Sequence, residues 1–120
     1  MANHSEYSLH RTVVTHLRLC AEPAVIWFHI PNQSSSSPRT GAFLKAMGVI
    51  PGVADLCFIK NGCAMFMEIK SAKGRQSPAQ KSFEADCLLA GVPYACVDCI
   101  DAAITVLRSW GVIKPMARAA

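Results

Sequence analysis

The chain has 120 residues, 52% of them hydrophobic and 17% charged, with a formal net charge of +4. That is one domain with room for a real core, too short for two and too apolar for a disordered chain. No apolar run reaches the roughly 18 residues of a membrane span, and the start, MANHSEYS, lacks a basic segment followed by an apolar one, so a soluble, cytoplasmic protein is expected.

Leu9, Val13, Leu17 and Cys20 fall at helical spacing with Val14 beside them, which predicts a helix from Ser5 to about Cys20. Glu6 lies near the same stripe, and two readings of it stand. It is either the N3 member of a capping box opened by Asn3 or a carboxylate reaching toward a site elsewhere in the chain. Val25 to Ile30 is a short, nearly continuous apolar run stopped by Pro31, which fits a buried strand. His29 within it reads as a core histidine, not a ligand. Residues 32–41, NQSSSSPRTG, read as a mobile polar loop, either a solvated linker or a segment that touches substrate. Ala42 to Met47 fits a short helix that carries Lys45 and closes at Gly48.

The stretch Gly52 to Lys70, GVADLCFIKNGCAMFMEIK, reads as two strands joined at Asn61-Gly62. That dipeptide is a strong hairpin signal because a type I′ turn needs positive φ at both central residues. Counting outward from it pairs Lys60 with Cys63, Ile59 with Ala64, Phe58 with Met65, Cys57 with Phe66, Leu56 with Met67 and Asp55 with Glu68. Opposed residues on an antiparallel pair point to the same face, Cβ atoms roughly 5 Å apart, and Lys70, two residues past Glu68, points there too. Two carboxylates and an ammonium are thereby expected side by side at one end of the hairpin. Cys57, Ile59, Ala64 and Phe66 line their face, and Leu56, Phe58, Met65, Met67 and Ile69 the other. A hairpin apolar on both faces implies a sheet covered on both sides, as in α/β folds.

SAKGRQ, residues 71–76, is a basic loop leading into a well-signalled helix. Ser77 suits the N-cap, Pro78 the first turn and Gln80 the N3 position of a capping box. Phe83, Cys87 and Leu88 or Leu89 are expected to form its buried stripe, with Gly91 after its end. Tyr94 to Asp98 reads as a further strand. Ile100, Ala103, Ile104 and Leu107 give a last helix, and residues 112–120 look like a frayed tail.

Basic residues gather around the hairpin: Arg39, Lys45, Lys60, Lys70, Lys73, Arg75 and Lys81, against only Asp55 and Glu68 in that span. Such a distribution suits a nucleic-acid backbone. Of the six cysteines, Cys96 and Cys99 have the spacing of a zinc half-site. They lie in an expected strand, where residues three apart face opposite ways, so the cysteines read as small core residues in preference to zinc ligands.

Two facing carboxylates at a sheet end are costly unless neutralised, and a divalent cation is the natural partner. Oxygen ligands favour magnesium or manganese over zinc. Such an ion can polarise a phosphate and acidify a bound water, and Lys70 can hold or help deprotonate that water and stabilise charge on the phosphate. The combination suits phosphodiester hydrolysis. A plain salt-bridged pair at a strand end and an accidental ExK are its structural rivals.

Gly52-Val-Ala-Asp55, then Glu68-Ile-Lys70, then Gln80 on the next helix resembles the PD-(D/E)XK nuclease superfamily. Within it the chain looks most like the VRR-NUC (virus-type replication-repair nuclease) domain. The resemblance runs over nearly the whole length: the early Glu in the first helix, IPNQ after the first strand, GVIPGVADL, EIKSAKGRQSPAQKSF, and a closing helix ending in SWGVI. It departs from the family pattern at Ala54, where a proline is usual.

The resemblance implies a restriction-endonuclease-like fold, a central mixed β-sheet flanked by helices on both faces. It implies that Asp55 and Glu68 bind the metal, that the Ile69 carbonyl adds a ligand and that Glu6 completes the site. Lys70 would be the catalytic lysine, and Gln80 would help place water or phosphate. The implied activity is that of a magnesium- or manganese-dependent endonuclease acting on DNA, including branched forms such as Holliday junctions. Arg39, Lys45, Lys73 and Arg75 would touch phosphate. Homodimers and a phage or prophage origin go with stand-alone domains of this kind. Two other functions stay open: a non-catalytic nucleic-acid-binding module with a vestigial metal site, and a zinc protein built on the cysteines.

Overall fold

The computed structural model describes residues 2–31 and 37–115, with side chains from Glu6 onward. Its elements follow in the order α1 (Ala2–Cys20), β1 (Ile26–His29), α2 (Pro38–Ala46), β2 (Leu56–Lys60), β3 (Cys63–Ile69), α3 (Pro78–Leu89), β4 (Tyr94–Val97) and α4 (Ile100–Ser109). The strands form one sheet in the order β1-β2-β3-β4. The first two pairings are antiparallel and β3–β4 is parallel, so the sheet is mixed and the fold is α/β. Among the described residues no helix is long and apolar enough to cross a membrane.

Asn61 (φ 52°) and Gly62 (φ 76°) both adopt positive φ, as the hairpin turn demands. The register counted from that turn is the one observed, from Lys60↔Cys63 to Leu56↔Met67. Leu56, Phe58, Met65, Met67 and Ile69 then share one face and pack with Val13 and Leu17 of α1 and Ala103 and Leu107 of α4. The opposite face receives α3, whose Phe83 meets Phe66 edge-on at 5.1 Å and lies 6.2 Å from Tyr94. That second face is less fully covered: Ile26 and Phe28 at its β1 edge are 62% and 44% exposed.

Several expectations are corrected. Helix α1 begins at Ala2, so Asn3 lies within it and is not its cap, and Cys20, expected in its buried stripe, is exposed. The expected loop at 32–41 lies outside the described residues at 32–36, but Pro38–Gly41 are helical: Ser37 caps α2 by accepting from Thr40 N–H at 3.1 Å. On α3, Leu88 and Leu89 are 81% and 87% exposed, leaving Cys87 as its buried residue. Only Cys57 and Cys87 of the six cysteines are buried. Cys99 is not in a strand but caps α4, its sulfur accepting from Ala102 N–H. The expected frayed tail is packed at its start: Val112 and Ile113 are buried, and Ile113 bridges to Ala21. Residues 116–120 lie outside the described residues.

Gly52 fastens the segment before β2 to α3. Its φ is +81°, and a Cβ there would overlap the backbone of Ala79 and come 2.6 Å from Gln80 N. Gly48 also has positive φ (+92°) but has nothing within 4 Å of where a Cβ would be. Gly48→Ala should therefore cost only the backbone strain, about 1 kcal/mol, whereas Gly52→Ala should cost about 2 kcal/mol more through the forced shift of α3. Urea midpoints of the two variants measure the difference, and equal losses would mean that the contact with α3 carries no weight.

Candidate metal centre

The β2–β3 ladder closes at Leu56↔Met67, and Asp55 and Glu68 stand one step beyond it. Asp55 Oδ2 accepts from Ile69 N–H at 2.7 Å, so a carboxylate takes the place of a ladder carbonyl. The main-chain carbonyl of Asp55 accepts from Ile30 N–H at 2.8 Å and from His29 Nδ1 at 2.7 Å. Its backbone and side chain are thereby held from β3 on one side and from the end of β1 on the other.

Glu68 is only 2% exposed. Gln80 Nε2 donates to its Oε2 at 3.3 Å, while its Oε1 has no hydrogen-bond partner among the described residues. Burial, then the Asp55 carboxylate beside it, push the Glu68 carboxyl up to about 9; Lys70 pulls the other way, and Glu6 adds to the rise. With no cation beside it, Glu68 holds a proton at neutral pH.

Glu6 completes the group: one oxygen from each of Glu6, Asp55 and Glu68 lies within 4.8 Å of the other two. Three converging carboxylates, one of them buried with an unpartnered oxygen, fit a hard divalent cation, which would displace the proton and give Oε1 a partner. Gln80 fills the expected capping role and also touches Glu68. Its Oε1 accepts from Ser77 N–H at 2.8 Å in the capping box, and its Nε2 reaches Glu68. Glu6 on α1 and Gln80 on α3 thus approach the sheet end from opposite faces.

The remaining expected residues divide. Lys70 is half-buried and close enough for its charge to act on Glu68. Ile69 contributes its N–H to Asp55. Arg39, Lys45, Lys73 and Arg75 are all exposed. They are not part of the carboxylate group, but they lie in segments that leave the sheet at its end: α2 lies between β1 and Asp55, and the 71–77 loop follows β3 directly.

Two residues were missed. His29 is exposed, not a core residue, and His10 is half-buried beside it, with ring centroids 4.7 Å apart and planes at 88°. Burial lowers the pKa of His10, against the pull of the Asp55 charge, and His29 lowers it further. The signal for His10 was its spacing: four residues after Glu6 is the same helix face one turn on. No protein-family model matches the chain, and no curated protein does.

The raised Glu68 pKa sets a pH dependence for the cation-free protein. Between about 4.5 and about 9 the folded chain keeps a proton that the unfolded chain has released. Stability from this group is therefore complete below the unfolded value and is lost as pH rises through that window. In chelator, the urea midpoint should fall between roughly pH 5 and pH 9, and Glu68→Gln should flatten the fall and stand above wild type at the alkaline end. An equal fall in both proteins would remove Glu68 as its source.

Proposed function

We propose that the chain is a divalent-cation-dependent endodeoxyribonuclease, a VRR-NUC-type member of the PD-(D/E)XK superfamily with the corresponding restriction-endonuclease-like fold. The observation that carries the reading is the convergence of Glu6, Asp55 and Glu68 at the end of the β2–β3 hairpin, with Glu68 buried and its Oε1 unpartnered. Lys70 follows two residues on, and Gln80 reaches in from α3.

What magnesium or manganese supplies when bound there, with the Ile69 carbonyl as a further ligand, is Lewis acidity toward a phosphate oxygen and a more acidic water. The chain's own residues do the rest. Asp55 is held by Ile69 N–H, so one oxygen is committed to the backbone and the other is free to face the cation. Gln80 holds Oε2 of Glu68 and is a positioning residue for that carboxylate. Lys70, whose charge already acts on Glu68, orients the attacking water as an ammonium and offsets charge developing on the phosphate.

Arg39, Lys45, Lys73 and Arg75 meet phosphates on either side of the site, which positions DNA without reading its sequence. Branched DNA is the substrate form that goes with this reading, and a phage or prophage protein in a bacterial cytoplasm is the setting. A homodimer is supported by the apolar surface of α2 and the turn after it, where Phe43, Met47, Val49 and Ile50 are 63%, 68%, 49% and 55% exposed.

The test is cleavage of labelled linear duplex, flap and four-way-junction DNA with magnesium, manganese or chelator. Cleavage should need the metal, and Lys70→Ala should lower it by about 100-fold or more while DNA binding stays within a few-fold. Binding that ignores the metal, with no cleavage of any substrate, would replace the enzyme with a nucleic-acid-binding module. For the oligomeric state, light scattering should give twice the chain mass for wild type and the chain mass for a Phe43→Asp, Met47→Asp double variant. A monomeric wild type would end the dimer reading.

A further inference from the structure

We infer that His10, His29 and Asp55 form a second cation site, one that takes a first-row transition ion through two imidazoles and a carboxylate. A ring nitrogen of each histidine and an oxygen of Asp55 all lie within 4.8 Å of one another. Donors shared by one ion at bond lengths near 2.1 Å stand about 3–4 Å apart, a spread these three groups reach with small side-chain shifts, and two histidines with one carboxylate leave further coordination positions open.

The chemistry of His29 supports this independently of the clustering. Its Nδ1 lies 2.7 Å from the Asp55 carbonyl oxygen. A carbonyl can only accept, so Nδ1 carries the hydrogen and Nε2 carries the lone pair. A backbone carbonyl on one ring nitrogen is the usual way in which a metal-binding histidine has its tautomer and ring plane set. The residue that anchors the ring is itself the third ligand, so ring and carboxylate are held relative to one another by a single peptide unit. Both histidines also line an open cleft of about 470 Å³ with Glu6, Tyr7 and Arg11, which gives an ion and its remaining ligands a way in.

The donor set distinguishes this site from the all-oxygen group with which it shares Asp55. Imidazole nitrogen suits manganese through zinc far better than magnesium, so the two groups sort ions differently. Asp55 is common to both, and its carboxylate would bridge ions that occupy the two sites together. The inference does not depend on the chain cutting DNA.

Cobalt(II) is the probe, because its visible bands report coordination, thiolate ligands add intense charge-transfer absorption, and bound histidines give strongly shifted exchangeable N–H proton resonances. Wild type, His10→Ala, His29→Ala and Lys70→Ala would be titrated under reducing conditions. Both histidines lie outside the hydrophobic core, so their removal leaves it intact. With excess magnesium present to fill the all-oxygen group, wild type should bind one equivalent of cobalt with two shifted imidazole resonances. Either histidine variant should bind at least tenfold more weakly and lose its resonance, with Lys70→Ala unchanged. Equal affinity in both histidine variants, displacement by magnesium, thiolate bands alone or no saturable binding by wild type would each overturn the site. Loss of nuclease activity with these spectra intact would count only against the nuclease.

Discussion

Asp55 is the point at which the first three strands are tied together. Its carboxylate accepts from β3 through Ile69 N–H, and its carbonyl accepts from the end of β1 through Ile30 N–H and His29 Nδ1. A side chain that completes a sheet edge cannot swing, because rotating it would orphan a buried backbone donor. The direction in which its second oxygen points is therefore a property of the sheet, and every other group at that end is placed relative to it.

Glu68 sits against the ordinary rules of burial. It is nearly inaccessible, next to another carboxylate, and has one oxygen without a partner. A leucine or glutamine would suit that position better if packing were the only requirement. Its cost is concentrated where Lys70 and Gln80 both act on it, and strain of this kind gathers at working sites. The same logic explains why Gln80 both caps α3 and holds Glu68, which sets the helix start and the carboxylate by one side chain.

Much of this was legible from the residues. A two-residue turn leaves no freedom in the count, so the hairpin register and the Asp55–Glu68 juxtaposition followed from Asn61-Gly62 alone. What was not legible came from longer range. Ser37-Pro38 carries the same cap-and-proline signal as Ser77-Pro78, but the serine-rich run before it hid the start of α2. Leu88 and Leu89 looked like core because hydrophobicity says nothing about whether a partner element is there. His29 looked like core because its strand is apolar. Only its pairing with β2, at the point where the ladder meets Asp55, put it beside a carboxylate. Val112 and Ile113 were misread because a short apolar pair after a helix has no period to announce it, and a single bridge to Ala21 gives it a place.

Helix α1 lends both Glu6 and His10 to the sheet end, and these lie toward its first turns while Val13 and Leu17 farther along make the core contacts. The early part of that helix is thus joined to the rest of the molecule by Leu9 at the core margin and by polar groups of like or neutral charge. An ion bound among them would act as a clasp. It would hold Glu6 and His10 to the sheet end, and amide hydrogen exchange along α1 would become a gauge of occupancy that needs no substrate at all.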